Sequence, residues 1–223
     1  GLSGPNDIAG FDKSLGLDDK GWVPFEAPEG SERWQILSPV RMHPHGVHDL
    51  NRWVQRQFRA KELEAASTAW GVSLGDETIV AKDKVIQTTN QKRKAYNWVE
   101  RAVEEHYIAN GEVALMSKIK NMLKGVFAGR PNLTFDYWTN QFSDGYAPLE
   151  LAYALTVHKS QGSEFKKVFV ILPKNSRLLS REMVYTALTR SREQLVLLIE
   201  GDDATVLFDL TRPERSETAR RNT

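Results

Sequence analysis

The sequence predicts an α/β domain, a parallel sheet with helices on both faces, interrupted by a small β-rich, barrel-like insertion. Three observations predict this. Nearly continuous apolar runs at 149–156, 168–172 and 195–199 are what strands covered on both faces by helices require. A strand, a loop and a helix-periodic segment follow one another at 34–58, which is half of a βαβ unit. Between these regions, residues 75–148 break into short segments separated by turn residues, the pattern of antiparallel strands. A length of 223 residues suits one large domain or a domain carrying a second small one. With 40% hydrophobic and 26% charged residues the chain has the composition of a folded globular protein.

Taken in order, residues 1–32 are rich in Gly, Pro, Asp and Ser with scattered Ile8, Phe11, Leu15, Trp22 and Phe25, and read as an irregular lead-in draped over a core. An apolar strand at 34–37 is stopped by Ser38-Pro39, since proline lacks the amide donor a central ladder needs. After the loop 40–46, Val47, Leu50, Val54 and Phe58 recur at the spacing of one helix face. Short strands are expected at 78–81 and 84–88, and Tyr96, Val99, Val103 and Tyr107 line one side of a predicted helix. Asn110-Gly111 is a turn signal before a strand at 112–116, and Leu133, Phe135 and Tyr137 alternate as a half-buried strand does. Ser180 caps a predicted helix running to about residue 191, with Met183, Ala187 and Leu188 inward. The α/β domain is therefore placed at 33–74 and 149–210, the insertion at 75–148, and a polar, basic, flexible tail at 211–223.

Composition also excludes function classes. No run of eighteen apolar residues occurs, so neither a spanning helix nor a membrane partner is expected. Zero cysteines leave no disulfide framework, thiolate metal site or cysteine nucleophile. Gly1 is followed by no signal-peptide pattern, so the chain reads as a cytoplasmic fragment or processed form. The net charge of +1 means that any nucleic-acid surface must be local.

Two stretches carry chemistry. Residues 155–165, Leu-Thr-Val-His-Lys-Ser-Gln-Gly-Ser-Glu-Phe, leave an apolar strand and enter a turn dense with hydroxyl, imidazole, ammonium and amide groups, near the strand end where α/β sheets bind ligands. The plain alternative is a tight turn at Gly162 with a surface imidazole at His158. Residues 185–193 place Arg190 at the end of a mostly apolar helix, where its planar fork could reach a phosphate or simply favour the helix terminus. His43, His45 and His48 lack the further ligands and fixed geometry of a metal site, and no metal is expected. Trp53, Trp70, Trp98 and Trp138 are candidates for base stacking, though tryptophan more often packs. Lys82, Lys84, Lys92, Arg93 and Lys94 form a basic run that could follow a phosphate backbone or be a solvated face.

Both stretches, in this order and about thirty residues apart, resemble the last two motifs, V and VI, of superfamily 1 DNA helicases, in the RecD-like form rather than that of Rep and UvrD. Residues 35–41, Gln-Ile-Leu-Ser-Pro-Val-Arg, with Gly46 to Asn51, are similar to that branch's motif IV. Residues 83–90 and 110–113 resemble its inserted Src-homology-3-like barrel. The resemblance, to the UvrD-like helicase C-terminal family, implies the second RecA-like motor domain, with 5′ to 3′ movement on single-stranded DNA. It further implies that Arg41 and Arg190 approach the γ-phosphate of ATP, and that Gln161, Gly162 and Glu164 line the nucleotide. Thr156, His158 and Lys159 then face the strand, joined by Lys92, Arg93 and Lys94 of the insertion. No Gly-x-x-x-x-Gly-Lys-Ser/Thr occurs in these residues, and Asp76-Glu77 follows no apolar strand. ATP with magnesium is accordingly expected to be held mainly by an N-terminal Walker-type domain of the same polypeptide. The rival reading is a non-catalytic nucleic-acid-binding or protein-docking module on a helicase-like frame.

Overall fold

The computed structural model describes residues 2–42, 45–68, 71–143, 146–173 and 180–201, together with Thr205, Phe208, Arg212 and Ser216. His43, Trp70 and nearly all of the 211–223 tail lie outside the described residues. The chain forms two compact units, Trp34–Asn51 with Ala154–Thr223, and Gly1–Arg33 with Arg52–Tyr153.

The unit formed by Trp34–Asn51 and Ala154–Thr223 is built on a four-stranded sheet. Its strands are β1 (Trp34–Ser38), β9 (Ala154–Thr156), β10 (Phe165–Leu172) and β11 (Ser191–Ile199), in the order β11-β10-β1-β9. Every pairing is parallel, with Trp34 beside Lys167, Ser38 beside Thr156 and Phe165 beside Ser191. Leu37, Leu155, Phe165, Val168, Val170 and Leu172 form its buried core. The start of α2 (Val47–Phe58) is fastened to β9 by Asn51, whose amide donates to the Ala154 carbonyl at 3.1 Å and accepts from the Ala154 N–H at 2.7 Å. Ser180 caps α4 (Arg181–Leu188) by accepting from the Met183 N–H. β11, expected to be covered on both faces, instead ends the sheet and leaves Leu195 and Leu198 exposed.

The other unit holds a seven-stranded sheet in the order β4-β3-β7-β6-β5-β2-β8, antiparallel at every pairing. The strands are β2 (Lys84–Gln87), β3 (Gln91–Asn97), β4 (Ala102–Ile108), β5 (Val113–Ile119), β6 (Met122–Phe127), β7 (Leu133–Tyr137) and β8 (Leu149–Leu151). Several expectations are corrected here. The lead-in is not irregular: it contains α1 (Ile8–Ser14), capped by Asp7, and its Phe11 ring stacks on Phe58 at 3.9 Å. Leu15, Leu17 and Val23 are buried as well, so burial of apolar side chains recruits this segment into the unit. The helix expected through Tyr96 and Tyr107 is the β3–β4 hairpin, in which Tyr96 lies opposite Val103 and Lys92 opposite Tyr107. The expected strand at 78–81 is reduced to an isolated Leu74–Ile79 bridge, and the run 149–156 is divided between the two sheets. The compact units also divide within α2 and after Tyr153, where composition had suggested 75 and 148.

A buried polar cluster ties the lead-in, the end of α2 and the segment before β2 together. Arg59, fully buried, donates to Asp12 at 2.6 Å and to the Lys82 carbonyl at 3.2 Å. The Asp83 carboxylate receives the Tyr153 hydroxyl at 2.7 Å, the Gln55 amide at 2.6 Å and the Val80 N–H at 2.8 Å. Burial nevertheless raises Asp83 to about 6, and burial likewise lowers the neighbouring Lys84 ammonium to about 7.

Candidate functional site

The turn between β9 and β10 carries most of the predicted site residues. It is shaped locally: the Thr156 hydroxyl accepts from the Lys159 N–H at 3.2 Å, the buried Ser160 hydroxyl donates to the Val157 carbonyl at 2.8 Å, and Gly162 adopts φ +84. A side chain at that φ would be strained, so the glycine has a conformational reason. His158, Gln161, Gly162 and Glu164 are exposed, and Thr156 and Lys159 half-buried. Val157, His158 and Gln161 line a shallow cleft with Ser180, Glu182, Met183 and Thr186 at and beyond the cap of α4.

The turn runs from one edge of the parallel sheet to the other. It begins at the carboxyl end of β9, where Thr156 pairs with Ser38. It finishes at the amino end of β10, where the Phe165 N–H donates to the Arg190 carbonyl at 2.9 Å. Arg190 sits between the end of α4 and the start of β11, and its guanidinium is held by three local oxygens. Nη1 donates to the Ser163 carbonyl at 3.2 Å, Nε to the Thr186 carbonyl at 3.2 Å and Nη2 to the Thr189 hydroxyl at 3.1 Å. Arg192 pairs with Glu164 at 3.2 Å on the same edge. Ser163 and Glu164 are thereby brought to Arg190 and Arg192 at one edge, while Thr156 begins the turn at the other edge and Gln161 lies with His158 in the cleft beside α4.

Arg41 is not brought to Arg190. It follows the carboxyl end of β1, and its carbonyl accepts from the His48 N–H at 3.2 Å, so its backbone is fixed at the entry to α2. Because β1 and β11 run parallel, one arginine leaves the carboxyl edge of the sheet and the other enters its amino edge. Six residues of register, from the level of Phe165 to that of Ser38, put about 20 Å between the two edges at ~3.3 Å per residue. At the backbone the two arginines thus leave the sheet at different edges.

Within the antiparallel unit the basic run is divided by strand alternation. Lys92 and Lys94 are exposed, whereas Arg93 points to the other face and is 5% exposed. Its guanidinium lies 3.8 Å from the Tyr137 ring centroid and donates to the Asp136 carbonyl and the Gln141 amide oxygen, each at 3.0 Å. Arg93 is thus a packed cation rather than a contact for a phosphate chain. Lys84 is fully buried, and Lys82 pairs with Glu62 at 2.9 Å. Of these tryptophans, Trp53, Trp98 and Trp138 are exposed, and Trp98 also stacks on Phe25 with its Nε1 donating to Thr134. His45 lies 3.9 Å from Glu200, and among the described residues no group of three or more His, Asp or Glu could hold a metal ion. Sequence reasoning missed the role of Asn51; its signal was an amide, next to the helix face, in a position that becomes buried.

Residues 151–198 match the family of UvrD-like helicase C-terminal domains. An uncharacterized protein of Methanocaldococcus jannaschii is 34% identical over 212 residues, which cover 89% of this chain and 17% of that protein. The ATP-dependent RecD2 DNA helicase of Deinococcus radiodurans is 33% identical over 164 residues, 72% of this chain and 19% of the helicase. The RecD subunit of the RecBCD enzyme of Mycobacterium tuberculosis is 33% identical over 179 residues, 80% of this chain and 26% of the subunit. The chain therefore spans about a sixth to a quarter of the length of these relatives. Among solved structures, the Pif1 helicase from Candida albicans aligns at 15% identity and a TM-score of 0.44, over 91% of this chain and 56% of that one. The matched segment takes in β9, the turn with Gln161 and Gly162, β10, α4 with Arg190 beyond it, and nearly all of β11, and the chain carries a C-terminal domain of the superfamily 1 helicases.

Proposed function

We propose that this chain is the arginine-supplying and strand-gripping half of an ATP-dependent DNA helicase or translocase. The observation that carries the reading is the position of Arg190, its guanidinium anchored to the Ser163 carbonyl beside the exposed Gln161, Gly162 and Glu164. A planar, permanently charged fork on a packed helix end is suited to charge that builds on γ-phosphate oxygens during phosphoryl transfer. Gln161, Gly162 and Glu164 would line the nucleotide, and Thr156, His158 and Lys159 would meet single-stranded DNA.

The phosphate-cradling loop would come from an N-terminal Walker-type motor domain of the same polypeptide. The ion would be held with the phosphates by that domain, where it would neutralise phosphate charge. Arg190 and the turn would complete the site when the two domains close on ATP. Lys92 and Lys94, on the exposed face of β3, would add phosphate contacts along the strand. A cytoplasmic location fits this work.

The isolated chain tests the half-site. It should show no DNA-stimulated ATP hydrolysis above background, yet bind oligo-dT with an affinity that falls as salt rises, because bound phosphates release counterions. Turnover that survives purification and disappears in Arg190→Ala would overturn the reading. So would the absence of any oligo-dT binding at low salt.

A further inference from the structure

The outer face of the β3–β4 hairpin combines exposed rings with exposed ammonium groups. Strand alternation turns Arg93, Ala95 and His106 toward the core, where the His106 ring meets the buried Phe135 edge-on at 6.0 Å. Lys92, Lys94 and Tyr96 of β3 therefore face outward with Tyr107, Glu105 and Val103 of β4, in the directly opposite pairs Lys92–Tyr107, Lys94–Glu105 and Tyr96–Val103. β4 ends the sheet, and Val103 and Tyr107 are 66% and 53% exposed. At the hairpin turn Trp98 is fixed in place. Its ring stacks on Phe25 at 5.1 Å and meets Tyr96 edge-on at 5.1 Å, and its Nε1 donates to the Thr134 hydroxyl at 3.2 Å. Aromatic and branched side chains left in water together at one sheet edge mark a binding face.

The chemistry of the face selects its occupant. Rings stand at two levels, Tyr107 at one and Tyr96 with Trp98 at the other, about 13 Å apart by strand rise from Lys92 to Tyr96. Lys92 lies level with Tyr107 and Lys94 two residues further along, while Glu105, 3.9 Å from Lys92 Nζ, is the carboxylate that opposes them. Rings interleaved with cations match the bases and phosphates of a polynucleotide strand. Stacked bases step by ~3.4 Å, so adjacent bases do not reach both levels and the ligand is an oligonucleotide. We propose that this face is a base-stacking platform for single-stranded nucleic acid, in which Tyr107 takes one base and the Tyr96–Trp98 corner another while Lys92 and Lys94 hold the phosphates. The inference rests on the reading of Lys92 and Lys94 as phosphate contacts and adds what those charges lack, a hold on the bases that salt does not screen. Every base has a π-face, so the platform grips the strand without reading its sequence.

Fluorescence anisotropy of the chain with fluorescein-labelled oligo-dT, and with an abasic strand of the same length and phosphate number, tests this across a salt series. Wild type should bind oligo-dT more tightly than the abasic strand. Tyr107→Ala should weaken oligo-dT binding about fivefold or more, leave binding of the abasic strand unchanged and keep the slope of log K against log salt, since it removes a stacking surface and no charge. Tyr107→Phe, which keeps the ring, should match wild type. Glu105→Gln should tighten binding of both strands, because Lys92 loses its competing carboxylate. Circular dichroism confirms that each variant is folded. Wild-type oligo-dT affinity in Tyr107→Ala, or an equal loss on the abasic strand, overturns the platform and leaves the strand-binding turn between β9 and β10 in place. Wild-type protein that binds neither strand overturns both.

Discussion

Arg190 is oriented by the fold itself. Oxygens of Ser163, Thr186 and Thr189 take its donors, so the entropy of fixing a long side chain is lost on folding, as the proposed role at a phosphate would need. In a polypeptide that joins this chain to the Walker-type domain proposed above, Arg190→Lys should fold normally and restore little turnover, as steady-state ATPase assays would reveal. At Lys92, Arg93 and Lys94 the same residue-level view separates charges that sequence alone groups together. The double variant Lys92→Ala, Lys94→Ala should flatten the salt dependence of oligo-dT binding and leave the melting temperature unchanged. Arg93→Ala should instead lower the melting temperature by several degrees, because it removes a ring contact and two hydrogen bonds from a buried site, a loss on the order of 2–4 kcal/mol. Equal melting temperatures for the two variants would contradict this division.

Elements differ in how plainly their residues announce them. The strands around the β9–β10 turn are legible because apolar runs bounded by polar turns admit few alternatives, and the capping hydroxyl of Ser180 marks the start of α4 in the sequence and in the structure. The β3–β4 hairpin was not legible from periodicity. Tyr96, Val99, Val103 and Tyr107 fall at helical intervals, but Asn97 turns the chain by accepting from the Val99 and Glu100 N–H groups at 3.0 and 3.1 Å. Arg101 completes the reversal at φ +53. An asparagine amid β-branched and aromatic residues was the available signal, and it outranks spacing. The β9–β10 turn makes an element-scale prediction through Gly162. Nothing lies within 4 Å of a Cβ built there, so Gly162→Ala should cost only the backbone strain of φ +84, about 1–2 kcal/mol, read as a shift in the urea midpoint. A larger loss would mean that the turn is more closely packed than this.

For the whole molecule, a resemblance carried by a few motifs was informative about the parallel sheet and less so about its relation to the rest. The chain's division within α2, and the inclusion of the lead-in with the antiparallel sheet, depend on Phe11 against Phe58 and on Arg59 with Asp12, contacts between residues distant in sequence. Arg41 and Arg190 could be named from their motifs, but their placement on opposite edges needed the strand register. Global stability should carry the signature of Lys84. Its folded value, lowered to about 7, means that the native state binds fewer protons than the unfolded chain between there and the ordinary lysine range. This group's destabilisation is therefore full below about 7 and fades as pH rises through that window. Lys84→Met should raise the unfolding free energy most at pH 6, by an amount on the order of a few kcal/mol, and much less at pH 10, read as a shift in melting temperature. A gain independent of pH would show that Lys84 stays charged in the fold.

The central claim is that Arg190 acts on the nucleotide while another edge of the same domain holds the strand. The most direct measurement compares kcat for ATP hydrolysis with the Kd for oligo-dT in the joined two-domain polypeptide, wild type against Arg190→Ala. Loss of kcat on the order of 10³, with Kd changed by less than about twofold, is the predicted result for an arginine that stabilises transition-state charge. Wild-type turnover in Arg190→Ala, or a loss that appears in Kd instead of kcat, would contradict it.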